Sequence, residues 1–347
     1  MQTVRSTHCL WLGLAALACT GNAVAGTVGE NFFNSMNLNQ WTLVPTTGLP
    51  RFEAHRGMGV DSSGGRLFLF GSETHGETTP DNSVHTFDGD TLAWTRSYDP
   101  EPVGNYVIDT DLWTTTVNDN PWAAHTFDNV VFLPDQNQLL VMTSPLHNYA
   151  GKSAVGIGVV AQQTWLYDIA SNSWLFLKSA GTPSTNYEYG LWAKGLVYDP
   201  GLGKVIGSGR DKTFMFDPAT QTWSSVASND DGHDIHATAE YNHVTQQSFL
   251  FGGVVTLPNR ITSYDPVLSR WQEVPTTGIT PAQAEGGKIA MDTLNDVLIS
   301  VSVLENQNSY YNTSGESQTL ILDLHTMRWT VADLGFTPRN WGFGFAM

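Results

Sequence analysis

Beyond residue 30 the apolar positions come in short runs: 67–70, 139–142, 205–206, 249–251 and 297–301. Runs of this length, bounded by turn residues, predict β-strands. Small residues follow four of them: Gly71-Ser72, Thr143-Ser144, Gly207-Ser208-Gly209 and Gly252-Gly253. Such residues suit strand ends where backbones approach closely. Downstream of each run stands a motif: an aromatic or aliphatic residue, Asp, five residues, Trp. Its copies are Phe87-Asp88…Trp94, Tyr167-Asp168…Trp174, Phe216-Asp217…Trp223, Tyr264-Asp265…Trp271 and Leu322-Asp323…Trp329. The Asp opens a tight turn, with Pro218 and Pro266 presetting φ in two copies. The Trp on the following strand offers a large apolar face to the neighbouring unit. Each unit therefore reads as four antiparallel strands in about 50 residues, the pattern of a propeller blade.

A sixth copy, Phe33-Asn34…Trp41, is one residue longer. Trp41 leads to Val44-Pro45-Thr46-Thr47-Gly48, as Trp271 leads to Val274-Pro275-Thr276-Thr277-Gly278. Trp41 is thus read as a fourth-strand residue orphaned at the N-terminus, and 339–345 as a first strand with no successor. The expected fold is all-β, a propeller of six blades, the last closed by both chain ends; either that blade is incomplete or the chain is cut short at its C-terminus. Five blades with loose ends is the alternative. The pattern resembles the kelch-repeat family, including the propeller of galactose-oxidase-like proteins, over about residues 30–347. The strongest copy is Phe249-Leu250-Phe251-Gly252-Gly253 followed by Tyr264-Asp265-Pro266…Trp271.

Residues 1–25 stand outside this pattern. Arg5 supplies a positive start, 9–19 an apolar core, and Ala23-Val24-Ala25 a small-x-small site, the features of a signal peptide. The expected domains are a leader over 1–25 and a propeller over 26–347, and the expected location is periplasmic or extracellular. Ala16-Leu17-Ala18-Cys19 resembles a lipobox, which offers a lipid anchor at Cys19 as the alternative. The apolar run is short of the ~20 residues a bilayer demands, and no later segment reaches that length.

Composition narrows the function. Formal net charge is −17, charged residues are only 14%, and the chain has 33 Gly and 12 Trp. This excludes a disordered or coiled-coil chain. The acidity argues against nucleic acid, whose phosphates demand Lys and Arg. Both cysteines, Cys9 and Cys19, lie in the leader. The resemblance to galactose oxidase implies a copper radical centre built on a tyrosine crosslinked to cysteine. A mature chain without cysteine cannot make it, so that activity is not expected, and no other cofactor is.

The two sides of the predicted ring are unequal. First and third turns of each unit are short, as at 61–65, 135–138, 199–203 and 217–220. The other side holds every long insertion: 96–122, 145–162, 227–235 and 303–317. Insertions of repeat proteins collect on the binding face. The residues entering each first strand should ring the channel mouth there: His55 and Arg56; Trp122 and His125; Tyr187, Tyr189 and Trp192; His233, Asp234 and His236; Glu285 and Lys288; Arg339 and Trp341. Charged groups beside flat rings suit a glycan or another polar ligand. His233-x-x-His236 with Asp234 is a weak transition-metal pattern. Asp109/Asp111 and Asn118/Asp119 offer at most a loose Ca²⁺ site, solvated loop charge being the simpler reading. No nucleophile elbow, metalloprotease helix or phosphate loop is present.

Three functions follow as expectations. The first is a non-enzymatic binding module for a glycan or protein. The second is a sugar-acting enzyme of epimerase or lyase type. Some periplasmic kelch-like propellers resemble sialic-acid mutarotases, and in such an enzyme Arg56, Arg339, His236 and Glu285 would be the candidate acid, base and carboxylate-binding groups. The third is one structural unit of a longer surface protein.

Overall fold

A computed structural model describes residues 26–37, 40–50, 56–72, 80–158, 161–178, 195–209, 212–229, 237–252, 260–279, 289–303 and 317–333. The described chain is an all-β propeller with five blades of antiparallel strands and few helices. Blade 1 comprises Gly57–Asp61, Arg66–Phe70, His85–Asp88 and Ala93–Arg96. Blade 2 comprises Val130–Leu133, Gln138–Thr143, Gln163–Asp168 and Ser173–Phe176. Blade 3 comprises Leu196–Asp199, Lys204–Ser208, Lys212–Asp217 and Thr222–Ala227. Blade 4 comprises Thr238–Asn242, Gln247–Phe251, Ile261–Asp265 and Arg270–Glu273. Blade 5 comprises Ile289–Asp292, Val297–Val303, Ser317–Asp323 and Arg328–Ala332. Each is a simple meander, first strand innermost. The five predicted second-strand runs all fall on second strands.

The six-residue step from Asp to Trp has a geometric cause. Each motif Asp ends a third strand, and its Oδ1 accepts turn N–H groups, from Thr91, Ser171, Ala219, Val267 and His325 in blades 1 to 5. The residue four after it takes left-handed backbone: Leu92, Asn172, Gln221, Ser269 and Met327, with φ from 50° to 56°. That turn sets the residue before the Asp opposite the Trp in every blade: Phe87↔Trp94, Tyr167↔Trp174, Phe216↔Trp223, Tyr264↔Trp271 and Leu322↔Trp329. Four of these pairs are tilted aromatic contacts with centroids 4.9–5.3 Å apart. Buried Asp61, Asp199, Asn242 and Asp292 cap the first turns in the same manner.

In two blades the Trp also bonds directly to the blade before. Trp223 Nε1 donates to Thr164 Oγ1 of blade 2 at 2.9 Å, and Trp271 Nε1 to Thr213 Oγ1 of blade 3 at 3.0 Å. Both threonines stand four residues before their motif Asp. Blade 1 has Val84 at that place, and Trp174 turns to the Tyr98 hydroxyl at 2.7 Å. Blade 4 has Ile261 there, and the buried Trp329 Nε1 has no hydrogen-bond partner among the described residues.

The N-terminal copy departs from its sequence reading. Residues Val28–Ser35 form helix α1, closed by a Thr27–Glu30 capping box, so Asn34 opens no turn. The helix packs Phe32 and Phe33 against Phe87, Leu92 and Trp94 of blade 1. Trp41 lies outside any strand, yet its Nε1 donates to Thr319 Oγ1 of blade 5 at 2.7 Å. Thr319 also stands four before its Asp, so Trp41 makes the bond a blade following blade 5 would make. The strand expected at 339–345 lies outside the described residues.

The repeated Pro-Thr-Thr-Gly segments have one structural role. Thr47 N–H donates to the Leu92 carbonyl, and Trp94 N–H to the Thr47 carbonyl. Thr277-Gly278 pairs in parallel with Arg328-Trp329, and Thr277 N–H donates to the Met327 carbonyl. In both places the chain leaving one Trp lies along the outermost strand of the next unit. Gly48 and Gly278 have φ +67° and +86°, and a Cβ on either would collide with the Trp94 or Trp329 carbonyl oxygen. Only glycine fits there.

Candidate functional site

First and third turns share one side of the ring and are four residues long wherever described, so that side is uniformly short. On it, His243 of blade 4 and His325 of blade 5 approach the two Asp296 oxygens at 2.6 and 2.8 Å. The opposite side carries the described insertions, and both belong to the blade 1–blade 2 seam. The first folds into a hairpin, Tyr106–Ile108 with Thr114–Thr116. The second carries helix α2, Tyr149–Val155, with Asn148 as N-cap.

One buried carboxylate organises the hairpin. Glu101 Oε1 accepts from Thr116 Oγ1 at 2.6 Å and Asn120 Nδ2 at 2.7 Å, and Oε2 from Asn118 Nδ2 at 2.9 Å and Asn105 Nδ2 at 3.3 Å. Four neutral side-chain donors satisfy both oxygens of a carboxyl group only 7% exposed. In the sequence Asn118 stood out only as part of a loose Ca²⁺ cluster; the alternation Thr116, Asn118, Asn120 is a signal that could have marked them as partners of one group, but nothing along the chain points to Glu101. Asn118 thus presents its amide nitrogen to Glu101, while Asp109 and Asp111 pair with Lys178 at 2.6 and 3.3 Å. Among the described residues no three His, Cys, Asp or Glu side chains are arranged to hold a metal.

Three of the ring candidates are described. Arg56 is 3% exposed; its Nε donates to the Gly71 carbonyl at 2.8 Å, and Nη2 pairs with Asp81 Oδ2 at 3.0 Å. Asp81 also accepts from Ser83 and meets His85 Nε2 at 2.9 Å. Burial pushes the Asp81 carboxyl up, but the His85 and Ser83 hydrogen bonds and the Arg56 charge outweigh it and hold it far below the usual carboxylate range. Trp122, 1% exposed, donates from Nε1 to the Thr115 carbonyl and stacks on Tyr106 with centroids 4.7 Å apart. It roots the hairpin. His125 stacks on His147 at 4.9 Å and 17°, joining the lead-in of blade 2 to the loop bearing α2. The Arg56 and His125 segments are stitched together: Gly57 N–H donates to Thr126 Oγ1, Thr126 Oγ1 to the Phe70 carbonyl, and Ser72 N–H to the Ala124 carbonyl. His55, Tyr187, Tyr189, Trp192, His233, Asp234, His236, Glu285, Lys288, Arg339 and Trp341 lie outside the described residues.

Two acids that the sequence did not distinguish stand on the inner wall. Asp128, just before the first strand of blade 2, reaches past blade 3, and its Oδ2 accepts the Ala239 N–H of blade 4 at 2.7 Å. Gly195 of blade 3 makes room: a Cβ there would come within 2.7 Å of that oxygen. Next to Ala239, half-buried Glu240 is pushed up to about 8 by burial and, second, by the Asp128 charge. It is a carboxylic acid that keeps its proton near neutrality. No helix among the described residues is long and apolar enough to cross a membrane. No protein-family model matches the chain, and no curated protein matches it.

Proposed function

We propose that the chain is an exported kelch-type propeller that works as a binding module, holding a glycan or a protein on its long-loop side at the channel mouth. One observation carries the reading. The short-turn side is closed by repeated aspartate-capped turns, while the other side bears insertions built into a defined surface, with Glu101 and Trp122 inside it. A rigid scaffold with elaborated loops on one side is the usual arrangement of a recognition protein. The proposal includes secretion through residues 1–25, with a lipid anchor at Cys19 as the alternative, and a sixth unit in which the Trp41 segment joins blade 5 to blade 1.

The test is a glycan array and a protein pull-down with residues 26–347. Exposed residues of the insertions (Val107→Ser, Tyr149→Ser) should weaken the recovered ligand about tenfold, and Val267→Ser on the short-turn side should not. No specific binder together with turnover of a sugar would overturn it. Glu240 favours a second reading, a sugar-acting epimerase or lyase, because a protonated carboxyl on the inner wall is a general acid at neutral pH. Glu240→Gln would then abolish turnover with the fold intact.

A further inference from the structure

The outermost strands of the blades are not treated alike. Six residues after Trp41, Trp223 and Trp271, the departing chain reaches the outer strand of the next blade. Thr47 covers blade 1 and Thr277 covers blade 5 through backbone bonds. Asn229 covers blade 4 with its side chain: Trp271 N–H donates to Asn229 Oδ1 and Asn229 Nδ2 to the Trp271 carbonyl, both at 2.9 Å. The side-chain amide imitates a peptide group. For blade 2 the equivalent residue is Pro100, which has no N–H to give. Glu101 then draws the chain away, its own N–H donating to Asn82 Oδ1 and its carboxylate held by the hairpin. Among the described residues, nothing bonds the outward Trp174 N–H or the Asn172 carbonyl.

The uncovered stretch is short and distinct. Trp113 packs edge-on against Phe176 at 5.4 Å and covers the far end of the strand. Asn172, Ser173 and Leu175 remain exposed. The residue after the Trp is polar in the other four blades, Thr95, Ser224, Gln272 and Thr330, but in blade 2 it is Leu175, 49% exposed. An open strand edge bearing an apolar side chain invites an added strand.

We infer that the outer edge of blade 2, from Asn172 to Leu175, docks an extended segment of a partner protein, laid parallel to Ser173–Phe176 and carrying a Thr-Thr-Gly core. The chain itself shows what such an edge accepts, since blades 1 and 5 take that segment. The glycine specifies it: any Cβ at that place meets the Trp carbonyl oxygen, as at Gly48 and Gly278. The inference does not depend on what the long-loop side binds.

The probe is a peptide copying residues 43–49. In the free protein the Trp174 amide should exchange with deuterium about tenfold faster than the amides of Trp94, Trp271 and Trp329, which have acceptors. Saturating peptide should slow Trp174 at least about threefold and leave the other three unchanged, while the peptide with Gly48→Ala should have no effect. A Pro100→Thr variant, whose restored N–H can bond the Asn172 carbonyl and so seat the residue 100 carbonyl on the Trp174 N–H, should show slowed Trp174 exchange without peptide. Fast exchange absent from Trp174 in the free protein overturns the inference, as does equal protection by the alanine peptide. Concentration-dependent dimerisation that protects Trp174 overturns the partner in favour of a second copy of this chain.

Discussion

The inter-blade Trp–Thr bond gives the sharpest energetic test. Thr213 is 0% exposed and Trp271 3% exposed, and the indole N–H reaches the hydroxyl oxygen at 3.0 Å. The hydroxyl proton goes on to Ser228 Oγ at 3.1 Å. Thr213→Val replaces the hydroxyl by a methyl of nearly the same volume, so packing is kept and the indole N–H is left buried without an acceptor. A buried donor without a partner costs about 1–3 kcal/mol. In a Trp271→Phe background no N–H remains to strand, and the cost of Thr213→Val should fall by about 1 kcal/mol or more, to what the Ser228 bond alone contributes. Thr213→Ser, which keeps the oxygen, should lie between. Urea unfolding followed by both tryptophan fluorescence and far-UV circular dichroism measures the differences, the two probes checking that the transition is cooperative. Equal cost of Thr213→Val in both backgrounds would refute the reasoning.

Blade 5 supplies the converse case. Ile261 leaves Trp329 Nε1 without an acceptor, so Trp329→Phe should cost about 1 kcal/mol less than Trp271→Phe in the same unfolding assay. Glu101→Ala removes the acceptor of four side chains, and limited proteolysis between residues 103 and 118 should accelerate at least about tenfold while the blades stay folded by circular dichroism. Gln221→Gly relieves left-handed backbone at φ 54° and should stabilise by about 0.5–1 kcal/mol in thermal melts. Two acids predict opposite pH slopes. Asp81 has a depressed folded value, so its stabilisation is present above the unfolded value of 3.8 and is lost as pH falls below it. Glu240 keeps its proton in the fold to about 8 but loses it when unfolded near 4.5, so stability falls as pH rises through that window. Asp81→Asn should flatten the acid limb and Glu240→Gln the other, read from unfolding midpoints across pH.

Much of the fold was legible along the chain because its causes are local. An aspartate that caps its own turn, a left-handed residue four positions on and a tryptophan opposite the residue before the aspartate all lie within one hairpin, so their spacing survives in sequence. The inequality of the two sides is local too, since loop length is counted along the chain. The residues that give the described surface its shape were not legible. Glu101 is one acid among 33, and only folding brings Asn105, Thr116, Asn118 and Asn120 around it. Arg56 stands in a plausible ring in the sequence; its burial against Asp81 depends on a loop 25 residues away.

The sequence by itself determined the blade: its four strands, its turn chemistry and the tryptophan that joins it to a neighbour. Only the tertiary structure decided what the repeated Pro-Thr-Thr-Gly segments do, that residues Val28–Ser35 are a helix, and that Trp41 meets Thr319, 278 residues away. It likewise decided that Asp128 crosses from blade 2 to blade 4 to charge the surroundings of Glu240. The division follows from the range of the forces. Hydrogen bonds within a turn are specified by neighbouring residues, whereas contacts between blades depend on how the stacked blades bring distant backbones together.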